Sequence, residues 1–430
     1  MAVPKLTDPA NTAVVPLHFI IIGGGITGLS CALALRRAGF LVTVLEKDEG
    51  HSSKSEGCRI PPNLTKILYL WGLRWAIQSK SMKCNNIHLL QFESGEYLSS
   101  YLWDDDLLLE TGGELTFMEY AALRDLLYDA AIASGAVFRF NAEVVKIDPE
   151  AAVVTLKSGE TICGDVLVGA DGLQGISLQY IDCSEIPIED TGVRMISMSI
   201  PKESIADDLD VCLSTETDIG DMFIWMGNEQ SILGFPTSRQ VTRRAVLDEW
   251  VRGRMVIIGD AAHPLPPGSL QSAALSVEDS VVLARLFSHL TSVIQVDEFL
   301  AAFQEIRYPR CEEIHTKEYG IIYFMTMPPS EVEEYRNQEF RLRRDAGLSY
   351  VDSDSEWEDS VEEKEIRDIF AYDANEDADS WWLEWGLLKD RSEGIKLGDE
   401  LSTIDGKPLV VDIERSMNVV VQQFRFWRFY

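Results

Sequence analysis

Apolar and polar positions change their period along the chain, and the changes mark its elements. Residues 17–22 (LHFIII) are an unbroken apolar run of strand length ending in a glycine cluster. Residues 26–38 are then rich in Ala and Leu, as an interior helix is, and Gly39 separates them from a second apolar run at 41–45. This order predicts a strand–helix–strand unit. A helix is predicted over 61–75, with prolines at its start and Gly72 near its end, and another over 118–134, closing at Gly135. The alternation across 136–170 predicts strands, as do MFIWMG and SILGFP within 190–235. MVIIGDAAHP (255–264) reads as a buried strand running into a turn. VEDSVVLARLFSHL (277–290) reads as a helix, and 298–326 continue helically apart from Pro309. No internal repeat interrupts this order.

Composition adds bounds. At 430 residues the chain is too long for one ordinary domain, and 46% apolar with 25% charged residues is a globular composition. The net charge of −32 argues against a chain-wide nucleic-acid or anionic-membrane binder, because phosphate neutralisation needs a basic surface. Residues 331–400 carry 23 acidic and 9 basic side chains, and so 14 of those 32 charges. Together with WWLEW at 381–385 they read as a solvated helical extension docked by its tryptophans. The seven cysteines are scattered and lack a C-x-x-C pair, so neither a disulfide framework nor a metal site is expected. Without a spanning apolar run or a signal-like start, a soluble cytoplasmic protein with a polar tail at 1–16 is expected.

The first chemical motif lies in the opening unit. Gly23, Gly25 and Gly28 form G-x-G-x-x-G between strand and helix, and Glu46 closes the next strand. Gly23 permits the tight turn, Gly25 lets backbone approach a pyrophosphate at the helix N-terminus, and Gly28 permits close helix–strand packing. Glu46 can accept hydrogen bonds from a ribose and repels a 2′-phosphate, which suits FAD or NAD rather than NADP as the resident dinucleotide. The motif alone does not separate those two.

Distant segments do. Gly259-Asp260-Ala261-Ala262-His263-Pro264 resembles the G-D-A-A-H-P segment of single-component FAD-dependent monooxygenases of the salicylate hydroxylase and para-hydroxybenzoate hydroxylase type. Cys58–Asn63 (CRIPPN) resembles the I-Q-I-P-P-N stretch of fungal members, 169–172 their G-A-D-G, and QEIRYPR (304–310) their R-x-P-R helix end. FAYDA (370–374) and WWLEW resemble the C-terminal part of the fungal subgroup.

The resemblance implies an α/β fold with a Rossmann-like FAD-binding domain of the GR2 flavoprotein type, an interleaved, mostly β substrate domain and a helical C-terminal extension. In residues, it implies an FAD-binding part at 17–185, a substrate domain at 186–250, a second FAD-binding part with a long helix at 251–329, and the acidic extension at 330–430. It implies FAD contacts at Gly23, Gly25, Gly28, Glu46, Gly57, Asp171, Gly259, Asp260 and Ala273, with Asp260 on the ribityl chain. Read without the resemblance, Asp260 suits a helix N-cap or Asx turn, and His263 is either an acid–base group or a loop residue packed beside the flavin. The implied activity is hydroxylation or epoxidation of an aromatic or polycyclic small molecule in secondary metabolism. It would run through a flavin hydroperoxide, with O2 and a transient NAD(P)H as co-substrates. Met222, Phe223, Trp225 and Met226 are candidates for an apolar substrate wall, or for ordinary core.

Four departures keep a second reading open, that of an FAD-binding pseudoenzyme or non-redox scaffold. Tyr120 stands where the family's helix opens with an arginine, with Arg124 four residues on as its substitute or a plain surface arginine. Leu178 stands where a cation is usual, and Leu270-Gln271-Ser272 replaces a G-Q-G or I-Q-G segment near the flavin, with Ser272 where close backbone approach or a positive φ is expected. The passage from 234 to 250 is also abrupt, as though the substrate domain were shortened.

Overall fold

The computed structural model describes residues 13–50, 57–102, 110–181, 221–228, 230–234, 245–266, 268–349 and 361–386. The apolar runs become the strands of a six-stranded sheet, in the order β15-β16-β12-β1-β2-β8. These are β1 (His18–Ile22), β2 (Leu41–Leu45), β8 (Val137–Arg139), β12 (Val166–Gly169), β15 (Val251–Arg252) and β16 (Met255–Ile257). All neighbours are parallel except the β15–β16 pair, so connecting helices cover the faces and the central strands are apolar throughout. α1 (Ile26–Arg37) follows β1 directly, and every residue from Gly28 to Leu35 on it is buried, as a helix wrapped on all sides requires.

Its neighbour is α4 (Ser272–Phe287), preceded in the chain by α2 (Pro62–Leu70) and α3 (Tyr120–Ala133). Small residues let α1 and α4 approach until the Ser30 and Ser280 hydroxyls hydrogen-bond at 2.9 Å. Phe19 of β1, Phe40 and Phe287 of α4 meet edge to face at 5.2–6.5 Å and lock the sheet to that helix.

Between the strands of this sheet the chain builds three antiparallel or mixed sheets. β9 (Val144–Asp148), β10 (Val153–Leu156) and β11 (Thr161–Cys163) form a meander, and β3 (Gly57–Ile60), β7 (Thr116–Glu119) and β4 (Met82–Lys83) a small sheet with β7 in the middle. The fourth sheet runs β14-β13-β5-β6, from β5 (Asn86–Gln91), β6 (Tyr97–Leu102), β13 (Met222–Gly227) and β14 (Gln230–Gly234). Strands 135 residues apart thus pair, β13 lying parallel to β5 with Met222 opposite Ile87.

After α4 come α5 (Val296–Met325), α6 (Glu331–Asp345), α7 (Val361–Phe370) and α8 (Ala374–Trp381). α5 is one continuous helix of 30 residues, so the break expected at Pro309 does not occur. Buried Arg307 and Arg310 on either side of the proline anchor the helix to its neighbours and outweigh the missing backbone donor. The acidic stretch is also more than a solvated extension. Glu333, Arg336, Asn337 and Phe340 of α6 are buried, and Arg285 of α4 grips Asp379 of α8 with two hydrogen bonds of 2.6 and 2.8 Å. Trp382–Gly386 form a further helical turn of their own. The tail at 1–12, the segment 235–244 that reads as abrupt and the last forty-four residues lie outside the described residues.

Candidate functional site: a dinucleotide cradle over a buried polar network

The glycine turn forms as its spacing dictates. Gly23 has φ +106°, a conformation open to glycine, and a Cβ there would strike the Ala170 carbonyl of the neighbouring loop. A Cβ on Gly28 would strike the Gly23 carbonyl. Gly25 differs from both. It caps α1 in an extended conformation with no side-chain cap, and a Cβ on it would meet only the Tyr120 hydroxyl, 3.8 Å away. Two of the three glycines therefore serve packing, and the third leaves open ground before the positive end of a helix.

Glu46 closes the turn from β2. One carboxylate oxygen accepts the Gly24 amide at 2.7 Å and the other the Asp48 amide at 2.9 Å. A carboxylate has about four lone-pair positions, so two remain for hydroxyl donors.

The G-D segment sits on the other side of α1. Gly259 has φ +63°, and a Cβ on it would lie 2.6 Å from Thr27 Cγ2 and 2.8 Å from Ser276 Oγ. The segment is thereby seated across the first turns of α1 and α4 at once. Asp260 lies in a short 3-10 turn, Gly259–Ala261, whose N-cap is Ile258, so the reading of Asp260 as an N-cap does not hold. Its exposed carboxylate accepts the Ser272 hydroxyl at 3.2 Å. Ser272 and Ala273 are the first two residues of α4, so the special backbone expected at Ser272 gives way to an ordinary helical one. Gly57 opens β3 opposite Glu119. Asp171 is turned back on its own loop: its carboxylate accepts the Ser177 amide at 3.0 Å, and Gly175 is glycine because a Cβ would overlap it. Burial raises the Asp171 pKa and these amides oppose it.

Tyr120 begins α3 with its hydroxyl against the first amide of α1. Burial raises the phenol's pKa, the Ile26 N–H lowers it, and the Asp260 carboxylate adds to the rise. One turn on, Arg124 is 7% exposed, so it is no surface arginine. Among the described residues its one ion-pair neighbour is Asp125 at 3.9 Å, which is itself exposed to solvent.

Beneath the G-D segment lies a buried polar network that the sequence reading missed. Asp279 of α4 accepts the Gly259 amide at 2.9 Å and meets His263 Nε2 at 2.6 Å through one oxygen, and accepts Arg307 Nε at 2.8 Å through the other. Arg307 pairs with Glu278 at 3.0 Å, and Asn63 donates to Glu278 and Gln271 at 2.7 and 2.9 Å. Burial alone would strip the His263 proton, but the Asp279 carboxylate prevails and holds the imidazole well above its ordinary pKa. Burial likewise opposes charge on Asp279, and His263 and Arg307 overcome it, bringing its pKa down to about 2. His263 stands in a bend outside helix and strand, where it is buried and paired with Asp279. His263, Asp279 and Cys311 offer ligand atoms within 4.8 Å, but N–H donors already engage both Asp279 oxygens. A signal for this network does exist in the sequence. Glu278, Asp279 and Ser280 are three consecutive polar residues in a helix buried on every side, and such a run requires buried partners.

The loop before α4 reaches the fourth sheet. Glu318 of α5 accepts the Gln271 amide at 3.0 Å, and Arg59 of β3 donates to the Gly268 carbonyl. Leu270 packs against a buried apolar cluster comprising Ile87 and Leu89 of β5, Met222, Ile224 and Met226 of β13, and Phe117. Strand alternation turns Phe223 and Trp225 to the opposite face, where Phe223 stacks on His88 at 4.9 Å and on Trp225 at 5.9 Å. The four residues offered as one wall therefore divide into two pairs.

A parallel sheet with a glycine turn, a ribose-side acid and a returning G-D segment defines a dinucleotide-binding flavoprotein with an interleaved antiparallel sheet. The family described as "FAD binding domain" matches residues 17–244 and 235–317, in two stretches that overlap at the passage read as abrupt. The chain belongs to this family and is an FAD-dependent monooxygenase. It is 25% identical over 420 residues to the FAD-dependent monooxygenase OpS4 of Beauveria bassiana, covering 85% of this chain and 97% of that one. It is 25% identical over 395 residues to the FAD-dependent monooxygenase cfoG of Aspergillus candidus, covering 75% and 89%. Among solved structures, CtdE in complex with FAD and a substrate superposes with a TM-score of 0.68 at 18% identity, over 87% of this chain and all of that one. Klebsiella pneumoniae HpxO with FAD and uric acid gives 0.63 at 18% identity, over 82% and 96%. No described helix is long and apolar enough to cross a membrane.

Proposed function

We propose that this monooxygenase acts on an aromatic or heterocyclic small molecule with a flat apolar body, in the manner of the salicylate hydroxylase group, with NAD(P)H as electron donor. The observation that carries the reading is the junction of Leu270, one residue from the Gln271–Ser272 start of α4, with the apolar face of Met222, Ile224 and Met226. A substrate seated at Leu270, the partly buried edge of that cluster, lies against apolar side chains while polar groups stay on the cofactor side. Relatives support the substrate class: one carries the name 6-hydroxynicotinate 3-monooxygenase and another 3-amino-4-hydroxybenzoate 2-monooxygenase.

The residues present fit FAD, since Gly25 leaves ground that a side chain would fill and Glu46 keeps acceptor capacity for a ribose. Bound FAD supplies the two-electron chemistry that activates O2. In this reading Gly23, Gly28 and Gly259 shape the cradle, Gly25 admits the pyrophosphate, and Asp260 takes the ribityl hydroxyls. Gly57, Asp171 and Ala273 flank the cofactor, Asp171 by fixing its own loop. The cation for the pyrophosphate comes from Arg124, buried and 3.9 Å from exposed Asp125, while the Tyr120 hydroxyl serves as an added donor.

The test is direct. Purified protein binds FAD, oxidises NADH or NADPH faster in the presence of an accepted phenol or N-heterocycle, and yields a product heavier by one oxygen atom. Protein that binds FAD but oxidises neither nicotinamide across such a panel is the non-redox FAD binder instead.

A further inference from the structure

The segment joining α7 to α8, part of FAYDA, reaches the cofactor side of the molecule through one phenol. Arg307 is fully buried, and a buried guanidinium needs an acceptor for every N–H direction. Its Nε goes to Asp279, its Nη2 to Glu278 and the Leu275 carbonyl, and its Nη1 donates to the Tyr372 hydroxyl at 3.0 Å. The hydroxyl passes its own proton toward Asp377 at 2.8 Å. The Tyr372 ring lies 4.4 Å from the Arg310 guanidinium, and Arg310 in turn donates to the Ile369 carbonyl at 2.7 Å. On the far side of Arg307, Asp279 holds the Gly259 amide and His263, the two ends of the turn that carries Asp260.

We infer that Tyr372 is a positioning residue of the cofactor site: its hydroxyl fixes Arg307, Arg307 fixes Asp279, and Asp279 sets the Gly259–His263 turn against the flavin nucleotide. The inference rests on the reading of that turn as an FAD contact. Segment 371–373 is thereby a part of the cofactor-binding unit and more than a strap across it. Other anchors hold the same segment without this connection. Lys66 reaches Asp373 at 3.3 Å, and Arg285 and His289 reach Asp379 at 2.6 and 2.9 Å. These anchors act through Asp373 and Asp379, side chains other than the Tyr372 phenol.

That difference supplies the experiment, made on the full chain with FAD as the probe. Tyr372→Phe keeps the ring and removes the hydroxyl, and the FAD Kd is expected to rise about five- to tenfold, with a shifted visible spectrum of the bound flavin. Asp377→Ala, which removes the acceptor on the hydroxyl's other side, is expected to move both readouts the same way by a smaller factor. Asp379→Ala is expected to lower the melting temperature of the apoprotein while leaving the FAD Kd within about twofold of wild type. Tyr372→Phe with unchanged Kd and spectrum overturns the inference, as does Asp379→Ala weakening FAD as much as Tyr372→Phe does. Should Tyr372→Phe fail to fold, an unchanged Kd in Asp377→Ala overturns it in its place. A wild-type protein that takes up no FAD overturns the underlying reading, a result separable from all of these.

Discussion

Gly28 lies so close beneath Gly23 that a Cβ on the first would overlap the carbonyl oxygen of the second, whereas a Cβ on Gly25 would meet only a hydroxyl 3.8 Å away. The two glycines of one motif therefore answer to different constraints. Gly28→Ala overpacks the helix–strand junction and is expected to cost about 3 kcal/mol of apoprotein stability. Gly25 has an extended backbone that alanine adopts freely, so Gly25→Ala is expected to leave apo stability within about 0.5 kcal/mol. It should nonetheless weaken FAD by about tenfold or more, because the methyl occupies the approach to the pyrophosphate. Urea unfolding of the apoproteins and flavin fluorescence quenching separate the two effects. Equal apo stabilities for the two variants would contradict the packing role of Gly28.

Glu46 has two duties that a substitution can divide. Glu46→Gln keeps one carbonyl acceptor and loses the charge, while Glu46→Ala loses both the Gly24 and Asp48 amide bonds. FAD affinity is expected to fall about fivefold in the first and about thirtyfold in the second, as one and then two ribose hydrogen bonds of about 1 kcal/mol net each are lost. Titration calorimetry with FAD checks this, and an Ala variant with unchanged affinity places the ribose elsewhere.

Arg124 tests where the pyrophosphate charge is met. Arg124→Met is expected to raise the FAD Kd about tenfold and to flatten its dependence on salt, since a fixed cation has left a partly desolvated site. Adding Tyr120→Arg to that variant returns a cation to the mouth of α1, one turn away, and is expected to recover most of the loss. Failure of both predictions would assign Arg124 to structure alone.

How much of this was legible in the sequence follows from how far apart the partners lie. The glycine turn, Glu46 and the G-D segment obey local rules of turn, strand end and helix start, so their places could be read from short windows. The network under them could not. Asp279 finds Arg307 28 positions on, and Asn63 finds Glu278 across 215, separations at which no periodicity speaks. The β13 wall failed for a different reason: the run MFIWMG is apolar at every position, so alternation could not say which residues share a face. Pro309 misled because a local helix breaker was judged without the two buried arginines that hold its helix in place.

The pair of His263 and Asp279 gives a pH dependence whose sign is fixed by its two shifts. His263 has a folded pKa above its unfolded value, so its contribution is complete below about pH 6.5 and is lost as pH rises through the folded value. Asp279, brought down to about 2, contributes fully above its unfolded value and loses that only as pH falls toward 2. Between about pH 4.5 and 6.5 both contributions stand together. His263→Leu removes the imidazolium but leaves Asp279 with Arg307 and the Gly259 amide, so the expected cost in that window is about 2–4 kcal/mol, less than for an abandoned buried charge. The difference from wild type should then shrink at alkaline pH, by up to about 1.4 kcal/mol for each pH unit above the unfolded histidine value. Denaturant unfolding of both apoproteins at pH 5, 7 and 9 measures it. A gap that grows with pH would mean that His263 is neutral in the folded protein, its Nε2–H tautomer donating to the Asp279 carboxylate.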